Sequence, residues 1–77
     1  MRMPLGLAPE NRMVRVVEVR GGRGLIRRLS ELGFLRGEWV RVLKSGPSGP
    51  ALVEVKGSRI ALGRGVLMRI IVECVPP

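Results

Sequence analysis

The sequence predicts a mainly β fold: a small, strongly bent barrel of about five strands, with one short α-helix inserted after the first strand. Three observations indicate it. Valine-rich runs recur along the chain, a single stripe of helical spacing interrupts them, and 11 glycines and 6 prolines separate the segments. Because 77 residues make one small domain, the strands close most economically into one barrel, which would also remove exposed sheet edges.

The chain begins with a lead-in segment, residues 1–12, that Pro4, Gly6 and Pro9 interrupt. We expect it to pack as an extended strap ahead of a domain at 13–75. The first strand, at 13–20, is rich in valine, whose β-branched side chain suits a pleated sheet. Its alternation slips between two adjacent valines at 16 and 17, so the pattern does not decide which face of the strand is buried.

The helix follows a glycine-rich break at 21–24. Its apolar residues recur with helical spacing, which places them on one stripe, and they are Leu25, Ile26, Leu29 and Leu32. Gly33 stands where a left-handed helix cap is expected. The glycine-rich break is typical of a plain strand-to-helix turn, and phosphate contact at the helix start is the less favoured alternative.

The second half of the chain predicts four strands joined by short turns. Alternating apolar residues and a hairpin signal at Gly57-Ser58 define them. The inward residues are expected to be Val40 and Val42, then Val53 and Val55, then Ile60 and Leu62, and finally Met68, Ile70, Val72 and Cys74.

Composition argues against most enzyme classes. The chain has no histidine, and its serines therefore lack the usual base. The lone Cys74 is expected to pack as a small hydrophobe, and no close acidic pair offers a metal site. We therefore expect a non-enzymatic protein with no catalytic residue, no metal site and no cofactor of its own.

Charge and hydropathy indicate the compartment and the kind of partner. Fourteen Lys and Arg against six acidic residues give a net charge of +8, which favours acidic partners. A single cysteine favours a reducing interior. Apolar runs are shorter than the ~20 residues of a membrane span, and the start lacks the continuous apolar stretch of a signal peptide. We expect a cytoplasmic protein without membrane insertion.

The segment after the helix carries two large apolar side chains, Phe34 and Leu35, on a connection. They either fold back onto the core or meet a partner, and the sequence does not decide between these two positions for Phe34. Desolvated aromatic, leucine and arginine side chains are typical interface anchors. The predicted partner-binding residues are Arg27, Arg28, Leu32, Phe34, Leu35 and Arg36.

The order of these pieces over residues 13–74 resembles the FeoA family of small SH3-like accessory proteins of ferrous-iron transport. The matching pieces are the strand ending in Gly21-Gly22, the helix with Arg28-Leu29-Ser30-Glu31-Leu32-Gly33, the Arg36-Gly37 turn, the Val40-Arg41-Val42 strand, the Gly49-Pro50 turn and Ile60-Ala61-Leu62-Gly63. Family members usually carry proline where this chain has Arg36.

The resemblance implies an SH3-like barrel that docks on the cytoplasmic GTPase domain of the membrane ferrous-iron transporter. Any contact with Fe²⁺ would then come through that partner, and the protein would be held at the inner face of the membrane by it. Two alternatives stay open. A basic KOW-type barrel would bind the RNA or DNA backbone, although two aromatics are few for base stacking. The valine-rich strands could also pair two copies into a homo-oligomer.

Overall fold

The fold is one antiparallel sheet of six strands in the order β1-β6-β2-β3-β4-β5, with two short helices. The computed structural model describes residues 1–46 and 48–74, so the predicted domain end at residue 75 lies outside the described residues. The elements are β1 (Arg2–Pro4), a 3₁₀ turn (Leu5–Leu7), β2 (Met13–Val19), α1 (Arg23–Leu32), β3 (Trp39–Lys44), β4 (Ala51–Val55), β5 (Ser58–Leu62), α2 (Arg64–Leu67) and β6 (Ile70–Glu73).

A single core on one side of the sheet confirms the mainly β prediction and most of the predicted inward residues. The buried side chains come from strands at both ends of the sheet and from α1 and α2, so the sheet must bend around them. Among them are Val40, Val42, Val53, Val55 and Leu62.

Strand β2 contains a bulge where its alternation slips. Its pairing with β6 matches Val16 with Val72 and then Glu18 with Ile71, which leaves Val17 as the extra residue. An extra residue of this kind bends the strand and strengthens its twist. The buried face is therefore the one that carries Val14 and Val16.

Helix α1 ends in a Schellman motif at Gly33, as the sequence predicts. Gly33 is left-handed, with φ 107°, and its N–H donates to the Ser30 carbonyl at 3.0 Å, while the Phe34 N–H donates to the Leu29 carbonyl at 2.9 Å. This pattern turns the chain back under the helix and brings Phe34 against Leu29. Phe34 is 2% exposed, so it belongs to the core and not to an exposed partner surface.

The lead-in segment supplies a strand that the sequence did not predict. β1 pairs with β6, with Met3 opposite Val72, and Leu5 is fully buried in the core. The division of the chain at residue 12 stays a prediction, but residues on its N-terminal side pack as part of the same sheet and core.

The predicted start of the last strand at Met68 is wrong. Residues 64–67 form the helical turn α2, Met68 is its C-cap and is 41% exposed, and Leu67 enters the core in its place. Over so few residues, apolar alternation does not separate one helical turn from a strand. Cys74 packs against the core, as predicted.

The β4–β5 hairpin turn lies one residue earlier than predicted. Val55 pairs with Ser58, so the turn residues are Lys56 and Gly57, with φ 49° and 77°. Two positive φ values define a type I′ turn, which matches the twist of a hairpin.

The sheet keeps two ends, so the expectation that barrel closure removes exposed edges is wrong. Among the described residues, β1 pairs only with β6 and β5 pairs only with β4. β1 is three residues long and includes Pro4, which has no N–H to offer. β5 has five residues and no proline, so it is the more accessible edge.

Candidate functional site: helix α1 and its two grooves

Helix α1 lies between two open grooves because its apolar side chains occupy more than one stripe. Successive residues rotate by about 100°, so Leu25 and Leu32 fall on one side and Ile26 on the other, with Leu29 beneath. Leu29 is buried, whereas Ile26 and Leu32 are about equally exposed, at 39% and 40%. The predicted stripe therefore supports the core mainly through Leu29, with Leu25 partly buried against it.

The β5-side groove separates α1 from strand β5. It has a volume of about 290 Å³. The side chains that matter most for its character come from α1, β5 and α2, and they are Leu25, Arg28, Leu32, Ile60, Ala61 and Val66.

The β2-side groove separates α1 from strand β2 and has a volume of about 200 Å³. Phe34 contributes to its lining although it is almost wholly buried. The other side chains that shape it are Val17, Glu18, Val19, Ile26, Ser30, Leu35 and Arg36.

The structure divides the predicted partner-binding residues between these two grooves. Arg28 and Leu32 line the β5-side groove, while Leu35 and Arg36 line the β2-side groove. Arg27 lines neither groove and forms an exposed pair with Glu31, 3.8 Å from Nε to Oε2. The predicted residues are thus brought to one helix and its tip, but not to one continuous surface.

The tip itself is a turn from Leu35 to Glu38. The Glu38 N–H donates to the Leu35 carbonyl at 2.9 Å, and Gly37 at the third position has φ 88°. A positive φ there is typical of a type II turn, whose second position favours proline. Arg36 occupies that second position.

Comparison with known proteins identifies this arrangement. Residues 3–74 match the family model of the FeoA domain. The chain belongs to the FeoA family. A protein of Methanocaldococcus jannaschii, provisionally named Fe(2+) transport protein A, is 39% identical over 70 residues, which cover 91% of this chain and 84% of that protein.

Two solved FeoA structures share the fold closely. The crystal structure of an iron uptake regulatory protein (FeoA) has a TM-score of 0.87 at 33% identity and covers 94% of this chain and 96% of that one. Stenotrophomonas maltophilia FeoA, solved with zinc and described as a prokaryotic SH3 domain protein, has a TM-score of 0.82 at 36% identity, with 92% and 89% covered. The predicted SH3-like fold is confirmed.

The charges around the grooves differ in how far they are already paired. In the described part of the chain, ion pairs join Arg20 to Glu18, Arg27 to Glu31, Arg41 to Glu54 and Lys56 to Glu38. Arg28 beside the β5-side groove and Arg36 beside the β2-side groove are in none of these pairs. Both guanidinium groups are therefore open to an acidic partner.

Sequence reasoning missed two features of the surface. Ile26 was assigned to the core stripe, although its helical position one residue after Leu25 turns it aside. Trp39 is 40% exposed, and its ring lies 5.3 Å from the guanidinium carbon of Arg15, an arrangement typical of a cation–π contact. The 100° rotation between Leu25 and Ile26 is a signal that could have placed Ile26, whereas the contact between Arg15 and Trp39 depends on the pairing of β2 with β3.

Two further questions about residues 1–46 and 48–74 concern a metal site and a membrane-spanning helix. No group of three or more His, Cys, Asp or Glu residues among them could hold a metal ion. No helix among those residues is both long and apolar enough to cross a membrane.

Proposed function

We propose that this FeoA-family chain is a non-enzymatic accessory protein of ferrous-iron transport. On this proposal it docks on the cytoplasmic GTPase domain of the membrane ferrous-iron transporter. The names of its relatives support the transport role. One relative carries the provisional name Fe(2+) transport protein A, and the description of another suggests that it acts as a bacterial ferrous iron transport activating factor.

The observation that carries the docking proposal is the composition of the α1 surface. Leu32 and Leu35 are 40% and 45% exposed, and each lies in a groove beside an arginine outside the ion pairs of the described residues, Arg28 or Arg36. Apolar anchors with arginine are typical of protein interfaces. A net charge of +8 would steer the chain toward an acidic partner.

Iron is cargo in this proposal and is bound by the partner. Fe²⁺ sites are built from imidazole, carboxylate or thiolate groups held close together. The sequence has no histidine, and the described residues bring no such cluster together. The absence of histidine, the most frequent general acid–base residue, supports a role that requires no catalysis.

The test is binding of the purified cytoplasmic domain of the transporter to Leu32→Asp and Leu35→Asp variants. Met13→Asp is the matched control, because Met13 is 46% exposed and lines neither groove. We expect one or both α1 variants to lose about tenfold or more in affinity and the control to bind normally. Normal binding by both α1 variants would remove α1 as the docking site, and no binding by the unaltered chain would overturn the partner.

One observation favours nucleic acid as a second candidate partner. The exposed Trp39 ring with Arg15 beside it resembles a small stacking platform. If this candidate is correct, Trp39→Ala should weaken binding to a single-stranded RNA by about 1–3 kcal/mol, and affinity should fall steeply with salt. Weak binding that ignores Trp39 would reflect net charge alone.

A further inference from the structure

We propose that the β5-side groove receives an extended acidic segment of the partner, which adds to the sheet as a strand beside β5. This inference rests on the proposed function and specifies how the docking on α1 is made. Strand addition to a free sheet edge is a recurrent mode of peptide recognition, in which backbone hydrogen bonds give affinity and alternate side chains give specificity.

The backbone of β5 has free hydrogen-bonding groups on the required side. Val55 and Ser58 flank the type I′ turn and lie opposite each other, so they form a hydrogen-bonded pair. Alternate residues of a strand direct their N–H and C=O groups to opposite edges. Arg59 and Ala61 therefore direct theirs away from β4, and in the described part of the chain β5 has no other neighbouring strand.

The groove next to this edge accepts the side chains of such a segment. Every second side chain of an added strand would face α1, where Leu25 and Leu32 lie opposite Ile60 and Val66. A volume of about 290 Å³ is near the lower limit of ligand pockets. It therefore suits a few aliphatic side chains of a strand.

Charge selects an acidic segment. Arg28 lines the groove, Arg59 is exposed on the edge strand, and neither takes part in the ion pairs of the described residues. The groove lining includes no carboxylate. An incoming segment would fill the groove with apolar side chains that face α1, and an acidic residue at the groove rim would pair Arg28. Acidic residues at the alternate positions, on the opposite face, would pair Arg59.

The other end of the sheet lacks these properties, which makes the assignment specific. β1 is three residues long and contains a proline, and short, proline-bearing edges resist strand pairing. Docking by strand addition at that end would gain few backbone hydrogen bonds.

The experiment measures binding of the full chain to the purified cytoplasmic domain of the transporter. In Ala61→Pro the outward N–H is lost without removing a bond to β4, because proline has no N–H. Ala61→Val keeps the N–H and is the matched control. We expect about tenfold weaker binding for Ala61→Pro and a change of less than about twofold for Ala61→Val, with thermal unfolding used to check that both variants are folded.

Amide hydrogen exchange on the unaltered chain supplies a readout that does not depend on any variant. Added strand pairing should slow exchange at Arg59 and Ala61 by about tenfold or more in the complex, with little change at the N–H groups of β1. If the domain binds while these two amides exchange as fast as before, strand addition is wrong and the proposed function stands. If the domain does not bind the unaltered chain, both proposals are overturned.

Discussion

The two grooves beside α1 share exposed aliphatic side chains, but they differ in charge and in backbone, since only the β2-side lining includes a carboxylate, Glu18. Each combines exposed aliphatic residues with one arginine outside the described ion pairs, Arg28 or Arg36. On the wall of the β2-side groove, the backbone of Val16 is already bonded on its β3 side. Val16 N–H donates to the Glu38 carbonyl at 2.9 Å, and the Val16 carbonyl accepts from Gly37 at 2.7 Å. The β5-side groove ends on a sheet edge.

This difference shows that exposed apolar area alone does not rank two surfaces. A partner at the β2-side groove would find the backbone of Val16 already bonded, whereas one at the β5-side groove would meet the free N–H and C=O groups of the sheet edge. Such bonds are directional, so the second surface favours an extended partner segment in a defined register.

The largest effect is expected in the core beneath helix α1, next to the β2-side groove. Phe34 is 2% exposed, while its neighbour Leu35 is 45% exposed. Phe34→Ala should therefore lower the free energy of unfolding by about 3–5 kcal/mol, a large part of the roughly 4–11 kcal/mol expected for a chain of this size. Leu35→Ala should change it by less than about 0.5 kcal/mol. Denaturant unfolding of both variants checks this, and equal losses would contradict the core assignment of Phe34.

The next largest effect concerns the helix end that separates the grooves. Gly33 has φ 107°, and a Cβ there would lie 3.3 Å from side-chain atoms of Val55 and Lys56. Gly33→Ala should therefore cost on the order of 1–3 kcal/mol. Gly24→Ala is the matched control, because a Cβ there meets nothing within 4 Å. We expect this variant to raise the free energy of unfolding by about 0.5–1 kcal/mol. Thermal unfolding distinguishes the two, and a stabilised Gly33→Ala would refute the strained cap.

Charge reversal on each side of α1 compares the grooves directly. Arg28→Glu should weaken binding to the transporter's cytoplasmic domain about tenfold, or about 1.4 kcal/mol, because the introduced carboxylate would repel an acidic segment. Arg36→Glu on the other side should cost less than about threefold. Titration at low and physiological salt measures both. A larger loss for Arg36→Glu would move the docking surface to the β2-side groove.

The smallest effect sharpens the description of the tip. Arg36 is the second residue of the type II turn that Gly37 completes with φ 88°, and proline is favoured at that position. Arg36→Pro should raise the free energy of unfolding by about 0.4–1 kcal/mol, because it restricts the unfolded chain. A clear loss of stability in denaturant would mean that the turn has another conformation.

Much of the fold could be predicted from local pattern, because valine alternation and glycine caps act over a few residues. The strands that supply Val40, Val53 and Leu62 to the core, and the helix cap at Gly33, depend only on such short-range signals. The pairing of β1 with β6 could not be predicted, since it joins Met3 to Val72 across almost the whole chain.

The candidate site was predictable as a segment but not as a surface. The sequence predicted Arg28 and Leu32 as members of one segment, and the structure brings both to the β5-side groove. The sequence left Phe34 open between core and partner surface, and the chain reversal after Gly33 places it beneath the helix. The free edge of β5 has no local signal. It follows from strand order, which the whole core determines.

The Schellman reversal has a consequence for how this chain tolerates insertions and deletions. Each residue added to or removed from α1 would rotate the helix end by about 100°. Gly33 would then turn the chain in a different direction, and Phe34 would no longer lie beneath the helix. We therefore expect homologous chains to tolerate substitutions along α1 far more readily than changes in its length of ten residues.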